Sequence, residues 1–355
     1  MIKRVGIRFM MAALLLQGLF LFLEEEVRCQ ETDIRVNTDW DHERHSWNAH
    51  WITHPEALRT GYGVFHFRNT LQLDTVPDSL LIYISADNRY RLTVNGKDVA
   101  RGPARGSPMY WRYESLDLAP YLSRGENVIA AEVHNLGPFR PAAQYSHQTA
   151  FIFQADDPRH GDLNTPGTWK VIQNKAYEPI EVSKEMVKGY YVAGPTDRID
   201  GKHYPWGWDQ GNYDDGDWLQ PSVITKGVGR GYMHGVPWML VPRNIPMMEE
   251  RPEYLKSVRR AKGVRVPGGF PSGRASLRIP PHRRVKVLLD QEYLTTTYPL
   301  IEVSDGKGAS LQLTYAESLY QRDMMKGHRD EVDGKLMLGY RDLILPDGGS
   351  RRLYR

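Results

Sequence analysis

Two knots of aromatic residues give this chain its clearest chemical signal. Tyr204, Trp206, Trp208 and Tyr213 fall within ten residues, and Tyr110, Trp111 and Tyr113 within four. Flat aromatic faces stack on the C–H face of a sugar ring, and nearby Asp, Asn and Arg can hydrogen-bond its hydroxyls. Trp206, Trp208, Tyr204, Tyr110 and Trp111 are therefore the candidate carbohydrate-binding residues. The competing reading is that Trp and Tyr favour strands and fill sandwich cores, which is their commoner use.

Other constellations carry less. Cleaving a glycoside takes two carboxyl groups roughly 5–10 Å apart. Glu249, Glu250 and Glu317 qualify by type only, and no catalytic residue is assigned. His42 and His45 in "DHERH" are three apart, whereas two imidazoles reach one metal from a helix at a spacing of four. Asp209, Asn212, Asp214, Asp215 and Asp217 make an oxygen-rich loop, but their spacing departs from the calcium-loop pattern, and Asp and Asn in Gly-rich loops are mostly turn formers. Neither a metal nor a cofactor is expected. The chain holds no G-x-S-x-G elbow, and "VPGGFPSGRAS" lacks the lysine of a phosphate loop.

Bulk properties narrow the classes. With 46 basic against 43 acidic side chains, the chain has no overall charge that would attract nucleic acid. Lys3, Arg4 and Arg8 precede an apolar run from Phe9 to Leu23, shorter than the roughly 20 residues of a membrane span. That order predicts a signal peptide over residues 1–29 and an exported mature chain with no membrane span. Cys29 is the single cysteine. Once the leader is removed, disulfides, a cysteine nucleophile and thiolate-held zinc are excluded.

The elements that must position these residues are strands. In "SADNRYRLTVNGKDVARG" Tyr90, Leu92 and Val94 alternate with Arg89, Arg91 and Thr93, and Asn95-Gly96 supplies a two-residue hairpin turn. "GVFHFRNTLQL" puts Phe65, Phe67, Leu71 and Leu73 on an inner face and His66, Arg68, Thr70 and Gln72 on a wet one. "SLLIYIS", "ENVIAAEVHNLG" and "TAFIFQAD" continue the series, so the fold class is all-β, with a sandwich over residues 35–235. The Gly-, Asp- and aromatic-rich stretch after Lys188 reads as loops packed on that sandwich. A Pro-rich connector spans 236–252, and a second β-domain covers 253–355. There Ile301 and Val303 are expected to meet Leu311, Leu313 and Tyr315 in a hairpin about Asp305-Gly306. The final strand and turn lack partners in this reading, so the second domain is expected to be incomplete.

"SADNRYRLTVNGKDVARGPARG" followed by "YWRYESLDLAPYLSRGENVIAAEVHNLG" resembles the N-terminal β-sandwich of bacterial α-L-rhamnosidases, glycoside hydrolase family 78. "LVPRNIPMMEE" resembles their connector, and "DQEYLTTTYPLIEVSDGKGASLQLTYAESLY" with "KGHRDEVDGKLMLGYRDLILPDGG" resembles the β-domain preceding their catalytic barrel. The resemblance implies a galactose-binding-like jelly roll followed by a concanavalin-like β-domain. It also implies inverting release of terminal α-L-rhamnose from glycosides or polysaccharides. The acid and base are glutamates of an α/α barrel expected beyond residue 355, so none is carried onto this sequence. Rhamnose-containing glycans are the expected partners and the periplasm, cell surface or exterior the expected location. The alternative is a carbohydrate-binding module without catalysis.

Overall fold

The computed structural model describes residues 46–188, 193–231 and 235–355; the predicted leader, His42 and His45 lie outside them. In chain order the first strands are β1 (Ser46–Thr53), β2 (Tyr62–Leu73), β3 (Leu81–Asp87), β4 (Arg89–Val94), β5 (Lys97–Gly102) and β6 (Trp111–Asp117). They continue with β7 (Gly125–Leu136), β8 (Ala150–Ala155), β9 (Lys170–Gln173), β10 (Tyr177–Ile180), β11 (Thr196–Asp200), β12 (Ser222–Gly229) and β13 (Met239–Pro242). After the connector come β14 (Ser257–Lys262), β15 (Lys286–Asp290), β16 (Ile301–Val303), β17 (Leu311–Tyr315), β18 (Tyr340–Leu345) and β19 (Arg352–Tyr354). The protein is all-β, and no helix among the described residues is long and apolar enough to cross a membrane.

Two layers make the sandwich. One is the antiparallel sheet β5-β4-β7-β2-β9, and the other is the set β1-β12-β13-β6-β3-β8, which closes on itself. Alternation puts Phe65, Phe67, Leu92, Val94, Ile129 and Val133 of the first layer against Ile82, Ile84, Leu116, Phe151 and Phe153 of the second, in one buried core. The predicted hairpin is present. Asn95 and Gly96 take φ of 52° and 76°, the paired left-handed conformation that a two-residue turn requires.

The wet face predicted for β2 is wet only at its far end, where Thr70 and Gln72 are exposed. His66 and Arg68 are buried, because the loop carrying Tyr204, Trp208 and Trp218 lies across the outside of the five-stranded sheet. The expected connector is also partly strand, since β13 inserts between β12 and β6.

The C-terminal strands pair differently from expectation. β16 and β17 do not form a hairpin: β16 pairs with β19 and β17 with β18. Seven residues separate β16 from β17, too many for a tight turn to force pairing, although Asp305 and Gly306 adopt the expected left-handed conformations. Ile301, Val303, Leu311 and Leu313 still meet, as side chains against one cluster of Ile199, Ile344 and Tyr354. Nor is β18 an unpaired edge. It runs parallel to β11, giving a sheet β10-β11-β18-β17 whose strands come from both sides of the expected 236–252 boundary.

Candidate functional site

Cross-strand register builds a charged core on the outside of the five-stranded sheet. Glu132 of β7 stands opposite His66 of β2 and Arg91 of β4. His66 Nε2 lies 3.2 Å from Glu132 Oε2, and Arg91 donates to Glu132 at 3.4 Å and to Asp98 at 3.0 Å. Burial works against the Glu132 charge, but Arg91 and His66 overcome it and hold the carboxyl below its usual range. Burial also lowers the pKa of His66, so its imidazole is neutral at pH 7.

The aromatic loop covers this trio. Trp208 stacks on His66 with centroids 3.9 Å apart and an angle of 24°. Asp215 anchors the same loop, pairing with Arg68 and with Lys170 at 2.7 Å. Asp214 accepts from the Gly216 N–H. The oxygen-rich loop thus uses these carboxylates as internal anchors and turn formers.

The five aromatic candidates do not converge. Trp208 is buried against Val128, Ala130 and Trp218, while Trp111 is buried with Trp47, Tyr83 and Trp238 inside the closed layer, on the far side of the central core. Tyr204 and Trp206 pack ring to ring with centroids 4.3 Å apart and a tilt of 32°. The Trp206 ring also receives Arg352 at 4.7 Å and the edge of Tyr354, so it joins the sandwich to β19. Tyr110 is 44% exposed, with Arg230 over its ring at 4.1 Å.

An open cavity that the sequence did not single out sets polar side chains and one tyrosine among Pro138, Pro141 and Ala142. Arg140, Gln144, Tyr145 and Ser146 line about 310 Å³ at one end of the sandwich, and Tyr145 is 54% exposed. Behind them the buried Asp87 accepts from the backbone N–H of His147 at 2.7 Å and from Trp238 Nε1 at 3.1 Å. Burial outweighs these donors and raises the Asp87 pKa. The sequence signal lies in "PFRPAAQYSH", a Pro-punctuated loop with two aromatics, Phe139 and Tyr145, and several polar groups, but nothing local distinguishes it from an ordinary turn.

Two of the carboxylates weighed for bond cleavage are paired with cations. Glu250 pairs with Arg101 at 3.5 Å and Glu317 with Lys326 at 3.2 Å. Glu114 is enclosed by Tyr90, the Ala104 N–H and Arg243.

Acids also meet where β11 runs beside β18. Asp197 accepts from Tyr62 at 2.6 Å, and its own N–H donates to Asp342, which accepts from Tyr315 at 2.8 Å. Burial, then the neighbouring Asp342 and Glu132, raise the Asp197 pKa against the opposing effects of His134 and Tyr62. A carboxyl with a raised native pKa stabilises the fold while protonated, and that contribution is lost as pH rises through the native value. Asp197→Asn keeps the acceptor for Tyr62. Its melting temperature is expected to match the parent's in acid and to exceed it increasingly toward pH 8. A gap independent of pH would refute this account of Asp197.

No family model matches the chain, and no curated protein does. Among solved structures it is similar to a GH78 family rhamnosidase of Bacillus sp. GL1, with 25% identity and a TM-score of 0.52 over 63% of this chain and 22% of that one. It is also similar in fold to an α-L-rhamnosidase from Aspergillus terreus, with 16% identity and a TM-score of 0.57 over 87% of this chain and 32% of that one. The chain thus spans between a fifth and a third of the rhamnosidases it matches, as the resemblance to their N-terminal part implies.

Proposed function

We propose that residues 46–355 are the framework and glycan-presenting front of an exported α-L-rhamnosidase-type glycoside hydrolase, with the acid and base of cleavage on other residues. The observation that carries this reading is the fold shared with two α-L-rhamnosidases. Its substrates are glycosides or polysaccharides bearing terminal rhamnose. Export rests on the basic and then apolar leader. Each buried carboxylate described above is enclosed by internal donors, which suits scaffolding and not proton transfer to a substrate.

The aromatic face offered to sugar is Tyr145, beside Arg140 and Gln144, with Tyr110 as a second, separate contact. The purified chain is expected to release no rhamnose from a chromogenic α-L-rhamnoside; steady turnover would overturn the assignment of cleavage elsewhere. Tyr145→Ala is expected to weaken retention on an immobilised rhamnan about three- to tenfold, the worth of one stacked ring. Unchanged retention would remove Tyr145 from the site.

A further inference from the structure

Charge is unevenly spread along this chain. From Arg251 to Lys286 there are eleven Lys and Arg against a single acid, Glu253, in a protein whose formal net charge is only +3. All eleven are exposed. Glu253 serves Arg251 and Lys256, and Asp290 serves Arg259; the other eight have no ion-pair partner among the described residues.

The fold gathers these charges. β14 and β15 form an isolated two-stranded ribbon in which Lys262 stands directly opposite Lys286. Like charges at opposed positions repel, and Arg260 adds a third cation on the same face, two residues along. The turn end is closed tightly: a Cβ on Gly263 would lie 2.7 Å from the Arg284 carbonyl oxygen, which places Arg284 beside the lysine pair. At the other end Gly273 packs against the Tyr254 ring, bringing Arg274 next to that 62%-exposed tyrosine.

We propose that this ribbon and the loop joining its strands bind a linear polyanionic polysaccharide, with carboxylates or sulfates between Lys262, Arg284 and Lys286. Anions there relieve the cross-strand repulsion, and the exposed tyrosine stacks on a sugar ring. The choice of a polysaccharide over another polyanion rests on the glycan reading above; the charge cluster does not.

The test uses the full chain against polygalacturonate, its fully methyl-esterified neutral form, and a single-stranded oligonucleotide. Binding to polygalacturonate is expected at about 50 mM salt and should fall steeply as salt rises. The methyl ester should not bind. The triple variant Lys262→Gln, Arg284→Gln, Lys286→Gln should lose on the order of tenfold, from three lost ionic contacts. Removing the same charge elsewhere, with Lys97→Gln, Arg124→Gln and Lys202→Gln, should leave binding intact, and each single ribbon replacement should give a smaller loss. Equal losses in the two triple variants, undiminished binding of the ribbon variant, or tight binding of the ester would overturn the proposal. So would tighter binding of the oligonucleotide than of polygalacturonate at equal salt. Rhamnoside turnover by the chain would overturn the framework reading alone, leaving ribbon binding as a separate result.

Discussion

Trp208→Ala is expected to lower the unfolding free energy by about 3–5 kcal/mol, the range for truncating a buried Trp. Trp208 is 2% exposed and fills the space between His66 and the outer face of β7. Its loss opens a cavity over the His66, Glu132 and Arg91 trio. It also loosens the loop whose Asp215 neutralises Arg68, a side chain only 4% exposed. Trp206→Ala should behave differently. Trp206 is half-buried and contributes ring contacts with Tyr204, Tyr354 and Arg352. Its removal should cost about 1–2 kcal/mol and mainly hasten proteolysis near β19. Denaturant midpoints for the two variants, set beside their retention on rhamnan, check this directly. A Trp208→Ala protein as stable as the parent but deficient in sugar retention would return Trp208 to the binding site.

The contrast between these two tryptophans marks where sequence reasoning stops. Strands written as alternation were legible: Tyr90, Leu92 and Val94 face the core, and Asn95-Gly96 turns the hairpin. Alternation reports which side chains are polar, however, and not whether water reaches them. His66 and Arg68 looked solvated because nothing within β2 announces that a loop more than 130 residues later covers them. The aromatic knot at 204–213 was visible, but its division into a buried Trp208, a joining Trp206 and a half-buried Tyr204 depends on that distant packing. Pairing at the C-terminal end failed for a related reason. Asp305 and Gly306 take left-handed conformations but close no hairpin, and partners for β16 and β18 come from Arg352–Tyr354 and Thr196–Asp200, choices made by the cluster around Ile199 and Ile344. The acid contact between Asp197 and Asp342 exists only because β11 and β18 are parallel neighbours, so no spacing rule could reveal it.

Arg243→Met should be as costly as Trp208→Ala, at about 3–5 kcal/mol, because it strips one partner from a buried ion pair. Glu114 has 1% of its side chain exposed and Arg243 10%, with Nη1 donating at 3.2 Å. Arg243 also donates from Nε to Ile245 at 2.9 Å and from Nη2 to Pro246 at 2.8 Å, so one side chain pins the connector leading toward the basic ribbon. Burial already raises the Glu114 pKa against the pull of Tyr90, Ala104 and Arg243. Without the guanidinium it rises further, and a protonated Glu114 needs no counter-charge. The loss should therefore be small in acid and grow as pH climbs toward 8. Adding Glu114→Gln should restore most of it, since the amide oxygen accepts from the Ala104 N–H and the NH2 group donates to the Tyr90 oxygen. Limited proteolysis should cut both Arg243→Met and the double variant within 243–250, since both lack the donors to Ile245 and Pro246. If the double variant regains stability but not protease resistance, the Ile245 and Pro246 contacts hold the connector; if it regains both, the unpaired charge alone displaced it.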